Sequence, residues 1–179
     1  MTMRLWRNLP YWTIAVFLAA LGLILAFGVF GIQKLFYDTE VNEDFRAPAP
    51  ASEEQGSPGS NSAATSYPVV ISSGEFHPVA HPGKGEAIVY RLEDGSRVLR
   101  LENLDIFNGP ALYVYAVDAP DASDNATVEE AGYLDLGPLK GNQGNQTYEL
   151  PARFDPEKHR SISVWCKRFS VNFATAPLR

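Results

Sequence analysis

The chain has 179 residues, a net charge of -6 at pH 7 and a pI near 5.0. That length fits one ordinary domain with extensions. The acidic balance, without a stripe of clustered Lys and Arg, excludes a nucleic-acid partner, which needs cations against its phosphates.

Residues 1–10 read as a short cytoplasmic tail carrying Arg4 and Arg7. Residues 11–33 read as a single transmembrane helix, free of charge and almost wholly apolar. About 22 residues at about 1.5 Å rise give roughly 33 Å, against a hydrocarbon core of about 30 Å. A cleaved signal peptide has an apolar stretch of only about 7–15 residues and a small-x-small site after it. This run is longer and ends without such a site, which predicts a retained signal-anchor. Trp6, Tyr11, Trp12, Phe36 and Tyr37 flank it as interfacial side chains do. Arg4 and Arg7 before the span, against Lys34 after it, predict a single-pass protein of the cell membrane. Its N-terminus is cytoplasmic and its C-terminal domain extracytoplasmic.

Residues 34–68 read as a flexible acidic linker rich in Pro, Ala, Ser and Gly. So few apolar side chains cannot offset the entropy of folding.

Residues 69–179 break into short apolar runs separated by turn residues. Strands are predicted at 87–92, 97–101, 112–117, 133–136, 147–150, 161–166 and 171–174. Asp94-Gly95 between two such runs is a hairpin signal. The facing of 89–91 and 98–101 is ambiguous, because their alternation is imperfect. No window after residue 32 has a convincing helical period, although 128–131 has room for one turn. The pattern predicts an all-β fold, an antiparallel β-sandwich. With one cysteine, it must hold together without an internal disulfide.

That cysteine, Cys166, is a packing residue, a thiol kept for chemistry, or a handle for another molecule. Alternation along 162–166 puts it on the apolar face with Ile162 and Val164, where a free cysteine packs as a small hydrophobe. Against that stands the oxidising compartment, where an unused exposed thiol is avoided. Trp165, Lys167 and Arg168 flank it, and the two cations favour a thiolate. His77 and His81 are weak metal candidates, alone or with Cys166, in a segment whose Pro78 and Pro82 exclude a helix. There is no Cys-x-x-Cys-His haem motif, and Met1 and Met3 both precede the span. No cofactor is clearly implied. The run 137–146 is dense in Gly, Asn and Gln. It reads either as a tight connection or as a polar binding loop using Lys140, Asn142, Asn145 and Gln146.

Taken in order, Gly74-Glu75-Phe76, His81, Gly85-Glu86-Ala87, Leu99-Arg100-Leu101-Glu102-Asn103, the run 108–115, Leu136-Gly137-Pro138-Leu139-Lys140-Gly141-Asn142, Tyr148-Glu149-Leu150-Pro151 and the run 164–171 form a specific set. Over roughly residues 70–179 the chain resembles the DM-thirteen domain family, also described as an electron-transfer domain. The resemblance implies an extracytoplasmic β-rich module whose hallmark cysteine, proposed to be redox-active, falls on Cys166. In animals the family stands beside DOMON and cytochrome-b-type domains, so the electron partner here is expected to be a separate protein. One departure is Ala111, where the family often has an acid. The expected function is therefore a membrane-anchored redox domain, an accessory rather than a stand-alone enzyme. The alternative is a non-catalytic interaction module, whose surface is the loop 141–146 and the nearby Tyr113, Tyr115 and Tyr133.

Overall fold

A computed structural model describes residues 11–28, 37–45 and 68–179. The expected cytoplasmic tail, the end of the expected span and most of the expected linker lie outside the described residues. The chain divides into two compact units, Met1–Tyr37 and Asp38–Arg179.

In the first unit, α1 (Tyr11–Gly28) is apolar on every side. Its large side chains are exposed all round, among them Ile14, Phe17, Leu21 and Ile24. Among the described residues no helix is long and apolar enough to cross a membrane. At about 1.5 Å per residue, eighteen residues reach roughly 27 Å.

The second unit is a sandwich of two five-stranded sheets. Its strands are β1 (Glu40–Asn42), β2 (Val69–Glu75), β3 (His77–Pro78), β4 (Gly83–Arg91), β5 (Arg97–Ile106), β6 (Leu112–Val117), β7 (Tyr133–Pro138), β8 (Gln143–Leu150), β9 (Ser161–Cys166) and β10 (Val171–Pro177). One sheet runs β1-β8-β5-β4-β2 and the other β3-β10-β9-β6-β7. The expected β-sandwich is present, with strands 112–117 and 161–166 at their predicted bounds. The turn around Asp94-Gly95 joins β4 to β5 as an antiparallel hairpin, with Arg91 opposite Arg97.

Three expectations need correction. Residues 38–45 of the expected flexible linker belong to the sandwich: β1 pairs with β8, and does so in parallel, within an otherwise antiparallel architecture. The loop expected at 141–146 is largely strand, since β8 starts at Gln143. A short helix, α2 (Asn125–Ala131), stands where one turn was expected. Asp124 caps it by accepting from Thr127 N–H at 2.7 Å, and Val128 anchors it by burial.

The main core lies between the sheets. Ala87 and Val89 of β4, Leu99 and Leu101 of β5, Val114 and Ala116 of β6, and Ile162 and Val164 of β9 all meet there. The ambiguous facing of β4 has a physical cause, because both of its faces are covered. Ile88 and Tyr90 point away from the main core and join Val98 in a second apolar cluster, against which Phe45 packs. On the outer side of the other sheet, α2 and the loop before it cover Tyr115, Val117 and Trp165. Asn172 fastens that loop. Its amide donates to Ala122 O at 2.7 Å, and its backbone N–H donates to Asn125 Oδ1 at 2.8 Å.

Candidate functional site: an aromatic layer behind a buried thiol

β9 carries Trp165 and Cys166 on opposite faces, as a strand requires. Cys166 is 0% exposed and sits in the main core with Val164, Phe173 and Ala174. Reactive thiols occupy partly exposed, electropositive surroundings. Here the cations beside it in sequence point elsewhere. Lys167 Nζ is 2.7 Å from Asp135 Oδ2 and 3.6 Å from the centroid of the Tyr113 ring. Arg168 lies exposed in the β9–β10 turn.

What gathers on the outer face is a set of rings. Tyr115 of β6 stacks on Tyr133 of β7, with centroids 4.1 Å apart and planes 6° from parallel. On its other side Tyr115 faces Trp165, 6.1 Å away and 24° tilted. Strand order dictates this column: β6 lies between β7 and β9, and cross-strand neighbours on one face are within ring contact. Tyr115 is 1% exposed and Tyr133 49%, so the column runs from solvent to interior. Burial raises the Tyr115 phenol well above the ordinary range, and Tyr133, Asp135 and a hydrogen bond to Tyr133 push the same way. Lys167 closes one side, and its Asp135 partner holds the ammonium above its usual range. Tyrosine and tryptophan side chains can lose one electron without a metal.

The other predicted residues serve the fold. His77 Nε2 meets Asp121 Oδ1 at 2.9 Å, tying β3 to the loop before α2. His81 lies between Phe107 and Phe173, with centroids at 4.9 and 4.2 Å. Among the described residues no cluster of three His, Cys, Asp or Glu side chains could hold a metal. Gln146 is fully buried, and its amide donates to Gly141 O at 2.7 Å and accepts from Tyr148 at 2.8 Å. Asn142 accepts from Thr39 N–H at 2.7 Å and donates to Asp38 and Ile106 O. Asn145 accepts from Asn103 N–H and donates to Asn42. Lys140 Nζ donates to Glu43 and to Thr147 O, each at 2.6 Å. These four side chains hold residues 38–45 and the 139–142 connection into β8 rather than an open binding loop. Trp165 and Lys167 belong to the aromatic layer and not to the thiol that they flank in sequence. Tyr113, Tyr115 and Tyr133, expected only as part of a binding surface, are its other rings. Alternation on β6 and β9 was the signal that could have joined them.

A family model described as "Electron transfer DM13" matches residues 75–178. That stretch holds every ring of the column, Cys166 and both histidines of β3 and its following turn. No curated protein and no solved structure matches the chain. With more than half of its length matched, this chain belongs to the DM13 electron-transfer family.

Proposed function

We propose that this chain is a membrane-anchored, extracytoplasmic domain that exchanges single electrons through Tyr133 and Tyr115, with Trp165 packed behind them, not a thiol–disulfide exchanger working through Cys166. The observation that carries this reading is the stacked pair Tyr115–Tyr133, one ring exposed and the other sealed. A one-electron acceptor protein takes an electron from Tyr133. The phenol O–H bond breaks, its proton leaves to water, and a phenoxyl radical remains. Tyr115, whose ring stacks on Tyr133 with centroids 4.1 Å apart, then passes an electron and a proton to it. That restores the Tyr133 phenol and leaves the radical on Tyr115. A donor returns one electron, and water one proton, in the reverse step. Thiol exchange at Cys166 would instead need a partner sulfur to reach a fully buried atom.

Anchoring rests on residues 11–33, whose all-round apolar and exposed surface over α1 fits lipid better than water. Orientation follows from Arg4 and Arg7. Alkaline extraction of membranes tests the anchor, and release into the soluble fraction contradicts it. For the chemistry, hexachloroiridate(IV) should oxidise the folded chain with Cys166 replaced by Ala as fast as the parent. If that substitution removes the reaction, the electron path is the thiol's.

A further inference from the structure

Residues 38–45 make contacts that look like those of a bound peptide. Their burial alternates, with Val41, Glu43 and Phe45 half-buried and Glu40, Asn42 and Asp44 exposed. Each inward side chain has its own receiver. Phe45 packs on Tyr90 with centroids 5.0 Å apart, under the Arg100 guanidinium at 5.6 Å. Glu43 takes a hydrogen bond from Lys140 Nζ at 2.6 Å and one from Thr147 N–H at 2.7 Å. Val41 runs beside Gly141 and Gly144, where a side chain on either glycine would strike the backbone carbonyl of Thr39 or Val41. Gly144 also has φ of +95°, which side-chain-bearing residues rarely adopt. Backbone pairing completes the set: Gln143 N–H donates to Thr39 O at 3.2 Å and Glu43 N–H to Asn145 O at 2.8 Å. This is strand addition to a sheet edge, with main-chain bonds for affinity and alternate side chains for selectivity.

Two facts set the segment apart within the domain. It pairs with β8 over only three residues, the one parallel pairing among the described strands. It also rejoins the sandwich only through residues 46–67, a Pro-, Ser-, Gly- and Ala-rich run that can reach roughly 70 Å when extended. Such a connection does not dictate which copy's edge is filled.

We propose that the β8 edge is a peptide-reading site, that residues 38–45 are its tethered and releasable ligand, and that the same segment of a second copy takes the site when a chain's own segment is out. The second copy is the fitting occupant because its contacts are identical. A chain's own segment competes by its high effective concentration, so exchange is expected where the resident segment is weakened.

The test uses full-length chains co-expressed in membranes. One copy carries Val41→Pro and Glu43→Lys, which disable its own segment, together with Asn145→Cys. The other carries Asn42→Cys alone. Residues 42 and 145 are register partners, so a disulfide between the two copies reports exchange on a non-reducing gel. A single chain bearing both Asn42→Cys and Asn145→Cys is the control that shows the bond can close. We expect the inter-copy band, and we expect it to fall sharply when the receiving copy keeps its own Val41 and Glu43. Hydrogen exchange on the unaltered chain should show the amides of 38–45 opening together, well before those of β5. A closed control with no inter-copy band, or amides of 38–45 that exchange only with the whole sandwich, overturns the proposal.

Discussion

Trp165 and Cys166 are adjacent in β9, yet they belong to different cores: the thiol packs between the sheets, and the indole stands in the aromatic layer outside them. Both side chains are buried, yet only the indole joins the rings proposed to carry electrons. A thiol reagent should leave Cys166 unmodified in the folded chain and label it only as denaturant opens the sandwich. Labelling at the rate of a free thiol under native conditions contradicts the placement. Cys166→Ser, which puts a hydroxyl in the same apolar site, should cost about 1–3 kcal/mol by equilibrium unfolding. Cys166→Ala should cost less.

Lys167 lies over Tyr113 and near Tyr115, with its ammonium 5.8 Å from the Tyr115 ring centroid. A positive charge over a ring disfavours withdrawing an electron from it. Lys167→Met should therefore speed oxidation of the column by hexachloroiridate in a stopped-flow measurement at high salt, which screens the dianion's long-range attraction to the cation but not a contact of 3.6 Å. An unchanged rate at high salt would mean that the cation has no hold on these rings.

Docking of residues 38–45 should depend on pH through Glu43. Partial burial pulls its carboxyl up, but the Lys140 hydrogen bond, the Thr147 N–H and the charges of Lys140 and Arg100 together hold it below 4.5. A depressed carboxyl stabilises the docked form above its free value. That contribution is lost as pH falls through the lowered one. Hydrogen exchange at 38–45 should thus be slow at pH 6–7 and quicken below about pH 4.5, relative to β5 at the same pH. Glu43→Gln should flatten that dependence and loosen the segment by about 1 kcal/mol, since the pair is partly exposed.

His77 works with the opposite sign. Desolvation lowers its pKa, yet the Asp121 hydrogen bond, the Pro78 carbonyl and the Asp121 charge carry it above 6.5. The stabilisation is complete below pH 6.5 and fades as pH rises through the raised value. Both partners are more than a third exposed, so the effect should be a few tenths of a kcal/mol and should shrink in salt. Asp121→Asn should remove the pH dependence from thermal unfolding between pH 6 and 8.

Much of the sandwich was legible because its inner strands obey a period of two between clear turn residues. The runs 112–117 and 161–166 show this best, and so does the Asp94-Gly95 hairpin. What escaped depended on partners distant in sequence. Nothing local in Glu40-Val41-Asn42 marks a strand. Its pairing comes from β8, a hundred residues on, and from the glycines that let the backbone approach. Ile88 and Tyr90 blurred the alternation of β4 because Phe45 covers the outer face. Asn142, Asn145 and Gln146 looked like a binding loop because amide side chains that lock backbone and those that meet a ligand are the same residues. Of the candidate site, the sequence supplied Trp165, Lys167 and the family resemblance. The column itself depends on β6 lying between β7 and β9, an order that no local pattern encodes.

Electron transfer between Tyr133 and Tyr115 is most directly tested by electron paramagnetic resonance on the full chain with Trp6, Tyr11, Trp12, Tyr37 and Tyr67 replaced by Phe. Freeze-quenching after hexachloroiridate(IV) should trap a tyrosyl radical. Tyr133→Phe should delay its appearance, and Tyr115→Phe should confine it to Tyr133. A radical that forms with the same yield and rate when Tyr115 and Tyr133 are both Phe, or a thiyl signal that vanishes with Cys166→Ala, would contradict the account.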